Sequence, residues 1–193
     1  MLARQGVTLD RSTLSNWVGR AYWWLTPLYD LLVGTALSAA KLFADDTTLP
    51  VLDPGRGRTK TGRLWCYAVD GRPWCGPSHP VAAYVYSEDR KGLRPARHLA
   101  AFRGVLQVDG YAGFKRLAGE RADGSVRLAF CWAHLRRYFY EFYVSTQSPL
   151  AAKVLAQIQA LYVIESRIRG HPAEHRRQAR QERSRSIVEA LQD

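Results

Sequence analysis

Three runs rich in β-branched and aromatic residues follow one another between Leu42 and Tyr86, with only short turn-like connections between them. No other feature restricts the fold as much, because strands joined this closely pair as an antiparallel meander. The first run extends from Leu42 to about Val51. A Gly-rich basic loop, Asp53 to Arg63, leads to Leu64–Val69, and Asp70-Gly71-Arg72-Pro73 marks a turn before Val81–Tyr86. Two more runs, Gly104–Val108 and Val126–Trp132, lie behind helical stretches at 95–102 and 111–118. Strands reached through helices are expected to join the sheet in parallel. Ahead of the strands, residues 11–41 read as helical, with a cap at Arg11-Ser12-Thr13 and Leu14, Trp17, Val18 and Ala21 at helical spacing. Pro27 is expected to kink or restart that helix. Behind the strands only helical signals remain, over His134–Val144 and Pro149–Arg169, and the segment from Arg167 to Arg185 holds seven Arg and two Glu. The chain stops at Asp193 in mid-pattern, from which a truncated domain is expected.

This order is that of an α/β fold with a ribonuclease H-like mixed sheet. Residues 1–41 form an N-terminal helical segment, 42–132 the core, and 133–193 an Arg-rich C-terminal helical insertion, incomplete at the C-terminus. On that pattern Asp45 lies on the first strand and Asp109 just past the fourth, and those strands are neighbours. Two carboxylates so placed can hold hard divalent cations, which favour oxygen ligands. The bland alternative makes Asp45 a strand-end cap and Asp109 a turn residue before Gly110, and spacing alone favours it.

Lys and Arg total 28 against 17 Asp and Glu, a net charge of +11. Such an excess calls for an anionic partner, DNA or RNA first and a ribosomal or membrane surface second. Arg56, Arg58, Lys60 and Arg63 fall just after the first strand, where they reach substrate phosphates or form a solvated hairpin tip. His134, Arg136 and Arg137 open the next helix, where they touch phosphate, brace the carboxylates or serve structure alone. Cys131 and His134 form a lone Cys-x-x-His, two ligands short of a structural zinc site. Cys66 and Cys75 lie far along the chain, so Cys131 reads as core. Three cysteines argue against a disulfide framework and for a reducing compartment. The N-terminus has no apolar signal region. The longest apolar stretch, Tyr22–Ala40, is broken by Thr26, Pro27, Asp30 and Gly34, which disfavours a membrane span. A cytoplasmic chain is expected.

Several segments resemble the transposases of the IS66 insertion-sequence family. They are Leu9–Leu14, Ala44-Asp45-Asp46-Thr47, Leu52–Trp65, Tyr86–Gly92, Leu106–Phe114, Cys131–Arg137, and the tail from Leu161–Glu165 to Arg180–Arg185. The resemblance implies a ribonuclease H-like domain with an Asp-Asp-Glu metal site that uses Mg²⁺ or Mn²⁺. Asp45 matches the first catalytic aspartate, in a motif that usually reads Ala-Asp-Glu-Thr, so Asp46 replaces a glutamate. Asp109 matches the second. The catalytic glutamate of the family belongs to an Asn-x-x-Glu-Arg motif that does not occur here, and none of Glu120, Glu141, Glu165, Glu182 and Glu189 stands in its place. Ser12–Trp17 resembles a recognition helix of a helix-turn-helix. The implied activity is metal-dependent strand cleavage and joining in DNA transposition. The implied partners are insertion-sequence ends and target DNA, with a homo-oligomer or other element-encoded proteins beside them, in the bacterial nucleoid. With two carboxylates the chain is expected to be inactive alone. The alternative is a non-catalytic DNA-binding or inhibitory truncated transposase.

Overall fold

The computed structural model describes residues 4, 6, 8–74, 76–121 and 123–191. Cys75 lies outside the described residues. The elements run α1 (Arg11–Leu37), β1 (Lys41–Asp53), β2 (Arg58–Val69), β3 (Val81–Ser87), α2 (Leu93–His98), β4 (Gly104–Val108), α3 (Ala112–Glu120), β5 (Val126–Phe130), α4 (Trp132–Thr146), α5 (Pro149–Ile168), α6 (Ala173–Ala179) and α7 (Arg185–Glu189). A 3₁₀ turn covers Arg72–Trp74, and a π-helical turn over Arg180–Ser184 links α6 to α7.

The five strands form one mixed sheet in the order β3-β2-β1-β4-β5. β1 pairs antiparallel with β2, and β2 with β3; β4 lies parallel to both β1 and β5. This is the arrangement expected from three hairpin-linked strands followed by two helix-linked ones, and it is compatible with a ribonuclease H-like fold. β1 and β2 remain paired as far as Asp53 and Arg58, whereas β1 meets β4 only over Lys41–Phe43. The far half of the hairpin therefore leaves the sheet as a two-stranded ribbon. Its tip turns on Gly55 and Gly57, both at positive φ (86° and 64°), a region that costs glycine little. Gly104, at the start of β4, has φ 142°, and a Cβ there would stand 2.3 Å from the Ala40 carbonyl oxygen. The parallel pairing of β4 with β1 begins at that close approach.

One face of the sheet carries the main core. Leu42 and Ala44 of β1, Trp65 and Tyr67 of β2, Leu106 and Val108 of β4 and Val126 of β5 pack with Leu99, Phe102, Phe114 and Leu117 from the α2 and α3 side. Successive strand residues point to opposite faces. The alternate set (Phe43, Asp45, Cys66, Ala68, Gln107) lines the other face. The C-terminal helices approach one end of that face. Arg176 of α6 donates to the Trp74 carbonyl (3.3 Å), and Gln107 shares a cleft with Trp132, Leu161, Tyr162 and Glu165.

Some local expectations are corrected. α1 is a single helix of 27 residues that continues through Pro27, and its N-cap position is Asp10, one residue before the expected cap. Its C-terminal half is held by Ala36, which is wholly buried in the core, and by the Tyr29 hydroxyl, which donates to the Tyr84 carbonyl (3.1 Å). That anchoring outweighs the backbone hydrogen bond that proline removes. β5 ends at Phe130, and Trp132 already begins α4. α2 covers Leu93–His98 rather than 95–102, and Pro95 lies within its first turn as expected. Among the described residues no helix is long and apolar enough to cross a membrane.

Candidate active site

Neighbouring strands β1 and β4 bring the two candidate carboxylates to one cavity. Lys41 pairs with Val105, Leu42 with Leu106 and Phe43 with Gln107, and Asp45 and Asp109 each stand two residues beyond the last of these pairs. Both residues line a shallow cavity of about 170 Å³ together with Phe43, Cys66, Gln107, Cys131 and His134. Asp45 Oδ1 accepts from the Asp46 amide (2.8 Å), and Asp109 Oδ1 accepts from the Tyr111 amide (2.9 Å). In each residue the contact fixes the side chain by a bond to its own backbone neighbourhood.

Asp46, one residue along, faces the other way. Its side chain is 1% exposed and ends in a cluster of arginines. Arg63 Nη1 donates to Oδ2 (3.0 Å), and Arg90 Nε donates to both carboxylate oxygens (3.0 and 3.1 Å). Arg90 Nη2 lies 2.9 Å from Asp46 Oδ1 and 3.8 Å from Asp109 Oδ2. Burial works against the charge on Arg90, but the bonds to Asp46 and the fields of Asp46 and Asp109 prevail and hold its pKa above the ordinary value. The guanidinium lies over the Tyr111 ring, 4.2 Å from its centroid, and the Tyr111 hydroxyl donates to the Arg90 carbonyl. Sequence reasoning passed over Arg90 and treated Asp46 as a mild departure. The only clue was that both stand inside segments already singled out, Tyr86–Gly92 and Ala44–Thr47.

The loop that carries Arg90 is itself pinned. Trp65 Nε1 donates to Ser87 Oγ (2.7 Å), which donates to the Asp89 carbonyl (2.7 Å). The Asp89 carboxylate takes Arg94 Nε (3.0 Å) and the Lys91 amide (3.1 Å), which hold its pKa well below the usual carboxylate range.

The expected basic contacts separate into groups. Arg56 is at the hairpin tip, 3.5 Å from Asp53, while Arg58 and Lys60 follow on the exposed ribbon. Arg63, at the base of the ribbon, is engaged by Asp46. His134, in the first turn of α4, reaches the cavity of Asp45 and Asp109, and its buried Nδ1 has no hydrogen-bond partner. Arg136 and Arg137 lie farther along the helix, Arg136 near the Tyr140 ring (5.8 Å). Cys131 is the half-buried N-cap residue of α4 and lines the same cavity, so it is a wall of the site as well as a strand-end residue.

Four of the five glutamates considered earlier are engaged elsewhere. Glu165 takes Arg180 (2.6 Å), Glu120 takes Arg116 (2.6 Å), Glu189 takes Arg185 (2.8 Å) and Glu182 takes Gln178 (2.8 Å). Glu141 is exposed on α4. Among the described residues no three His, Cys, Asp or Glu side chains are grouped to hold a metal ion. Two hard oxygen donors and open space beside them still suit Mg²⁺, which keeps several waters and binds through one or two carboxylates plus substrate phosphates.

A family model described as "Transposase IS66 family" matches residues 1–193. Three uncharacterized proteins of Sinorhizobium fredii are similar to the chain. The protein y4jD is 47% identical over 194 residues, which cover 99% of this chain and 38% of that protein. The protein y4qI is 41% identical over 97% of this chain and 36% of its own length, and y4hP is 36% identical over 98% and 36%. The chain thus spans a little over a third of the relatives it matches.

Proposed function

Because the chain belongs to the IS66 family of transposases, we propose that it carries the central catalytic part of a DNA transposase, with Asp45 and Asp109 as metal-binding carboxylates. The observation that carries this reading is that the two carboxylates, beyond the paired parts of the neighbouring strands β1 and β4, line one cavity. A bound Mg²⁺ or Mn²⁺ would supply charge neutralisation at the scissile phosphate and an activated water or hydroxyl nucleophile.

The chain's own residues do the rest. Asp45 and Asp109 present oxygens held by their backbone bonds, and these two residues would hold the metal. Arg90 steadies Asp109 from the core side while its own charge is spent on Asp46. His134, on the wall of the cavity, stands where its ring meets a phosphate or sugar oxygen. Arg56, Arg58 and Lys60 on the ribbon, and Arg136 and Arg137 on α4, bind flanking phosphates, positioning DNA without reading its sequence. With two carboxylates the metal would be held weakly, and this chain alone would cleave DNA slowly or not at all.

A second reading rests on the absence, among the described residues, of a third grouped ligand. In it the chain binds DNA and does not cut it. Nicking of supercoiled DNA in Mg²⁺ or Mn²⁺, measured beside a binding titration, separates the two. Nicking that disappears in both Asp45→Asn and Asp109→Asn supports the catalytic reading. Salt-dependent binding without nicking favours the second, and failure to bind DNA at low salt contradicts both.

A further inference from the structure

From Leu14 to Leu32, α1 carries a set of large apolar side chains that nothing else among the described residues covers. Leu14, Trp17, Trp24, Leu28 and Leu31 are between 41 and 72% exposed, and Val18, Leu25 and Leu32 beside them are 70, 56 and 44% exposed. The helix meets its own sheet through a different face, on which Tyr29 and Val33 are half-buried and Ala36 is buried. A helix that is apolar on two faces is built to lie between two surfaces.

The spacing of the outer face identifies what the second surface is. Leu14, Trp17, Ala21, Trp24, Leu28, Leu31 and Thr35 alternate in steps of three and four, and Val18, Leu25 and Leu32 repeat every seven alongside them. This is the seam by which one helix packs on another by knobs into holes. The seam is also complementary to itself when reversed. Set head to tail, Leu14 meets Leu31 of the second copy, Trp17 meets Leu28, and the small Ala21 meets Trp24. A parallel pairing would instead stack Trp24 on Trp24 and leave a gap between two alanines, against the density that packed interiors require. The eight exposed side chains offer on the order of 800 Å² per copy, the scale of a standard stable interface.

We propose that α1 is a homodimerisation helix, which pairs antiparallel with α1 of a second copy through the Leu14–Leu31 seam. Such a contact is isologous and closes at two copies. It is independent of the catalytic reading, since Asp45 and Asp109 lie on other elements.

Sedimentation equilibrium across a concentration series tests it. The chain is expected to approach twice its 21.8 kDa mass. Leu28→Glu is expected to weaken the dimer by at least about thirty-fold, while the far-UV circular dichroism and thermal midpoint stay near those of the parent. Leu14→Lys and Leu31→Glu singly should each weaken the dimer, and the double variant should restore it, because the antiparallel seam sets Lys against Glu. A chain that stays monomeric at 100 µM or so, or a dimer indifferent to Leu28→Glu, overturns the proposal. A double variant weaker than either single one overturns the antiparallel register.

Discussion

Arg90 Nη2 lies 2.9 Å from Oδ1 of Asp46. The same guanidinium is 3.8 Å from Asp109, so one arginine ties the buried carboxylate of β1 to the carboxylate at the end of β4. Asp45, next to Asp46 in the chain, takes no part in this bridge. Two consecutive aspartates are thus given different tasks by the alternation of a strand.

Those tasks predict opposite phenotypes. Asp46→Ala leaves Arg63 and Arg90 without their buried partner and should cost about 2–3 kcal/mol. That is a fall of roughly 5–10 °C in the thermal midpoint of a chain this size. Asp45→Ala removes an exposed side chain and should change stability by no more than about 0.5 kcal/mol. Calorimetry on both variants checks the pair, and equal losses would contradict the assignment.

The hairpin arginines should divide in the same way. If Arg56, Arg58 and Lys60 each contact a phosphate, replacing all three with alanine lowers the slope of log K against log salt by roughly 2.7. Arg63→Ala should leave that slope nearly unchanged and lower stability, because its guanidinium is committed to Asp46. Fluorescence anisotropy with a labelled duplex at several salt concentrations measures the slopes.

His98 gives a pH dependence with a definite sign. Burial lowers its pKa from 6.5, the charge of Arg94 adds to this, and its Nδ1 lies 2.9 Å from the Tyr67 hydroxyl. Burial also raises the Tyr67 pKa, so the phenol stays protonated beside the neutral imidazole. The folded chain then takes up the proton less readily than the unfolded one. Stability from this group is complete above the unfolded value of 6.5 and falls as pH drops below it. Asp70 is held at about 2 by the Arg72 side chain, and Asp123 at about 2 by Ser125 and Arg103. Both lose their contribution only below the ordinary carboxylate value of 3.8. Urea midpoints at pH 7.5 and 5.5 should therefore fall in the parent chain and fall less in His98→Gln.

Much of this could be read before the structure. The strand runs and the helices between them dictated the mixed sheet, and with it the adjacency of Asp45 and Asp109. Pattern reasoning was weaker where a tertiary contact decides the outcome. Pro27 is a helix breaker by local rules, but Ala36 and Tyr29 anchor the helix beyond it. Asp46 of the central strand β1 meets Arg90 of the loop after β3, a pairing with no signature in spacing. The split among the basic residues was likewise invisible, since Arg63 differs from Arg58 only in how near it stands to the buried carboxylate.

The most direct test of the central claim is Mn²⁺ binding to the purified chain, followed by electron paramagnetic resonance and by displacement with Mg²⁺. The account predicts one weak site, abolished by Asp45→Asn and by Asp109→Asn and retained in Glu165→Gln. Binding that survives both aspartate substitutions, or that is lost with Glu165→Gln, would contradict it.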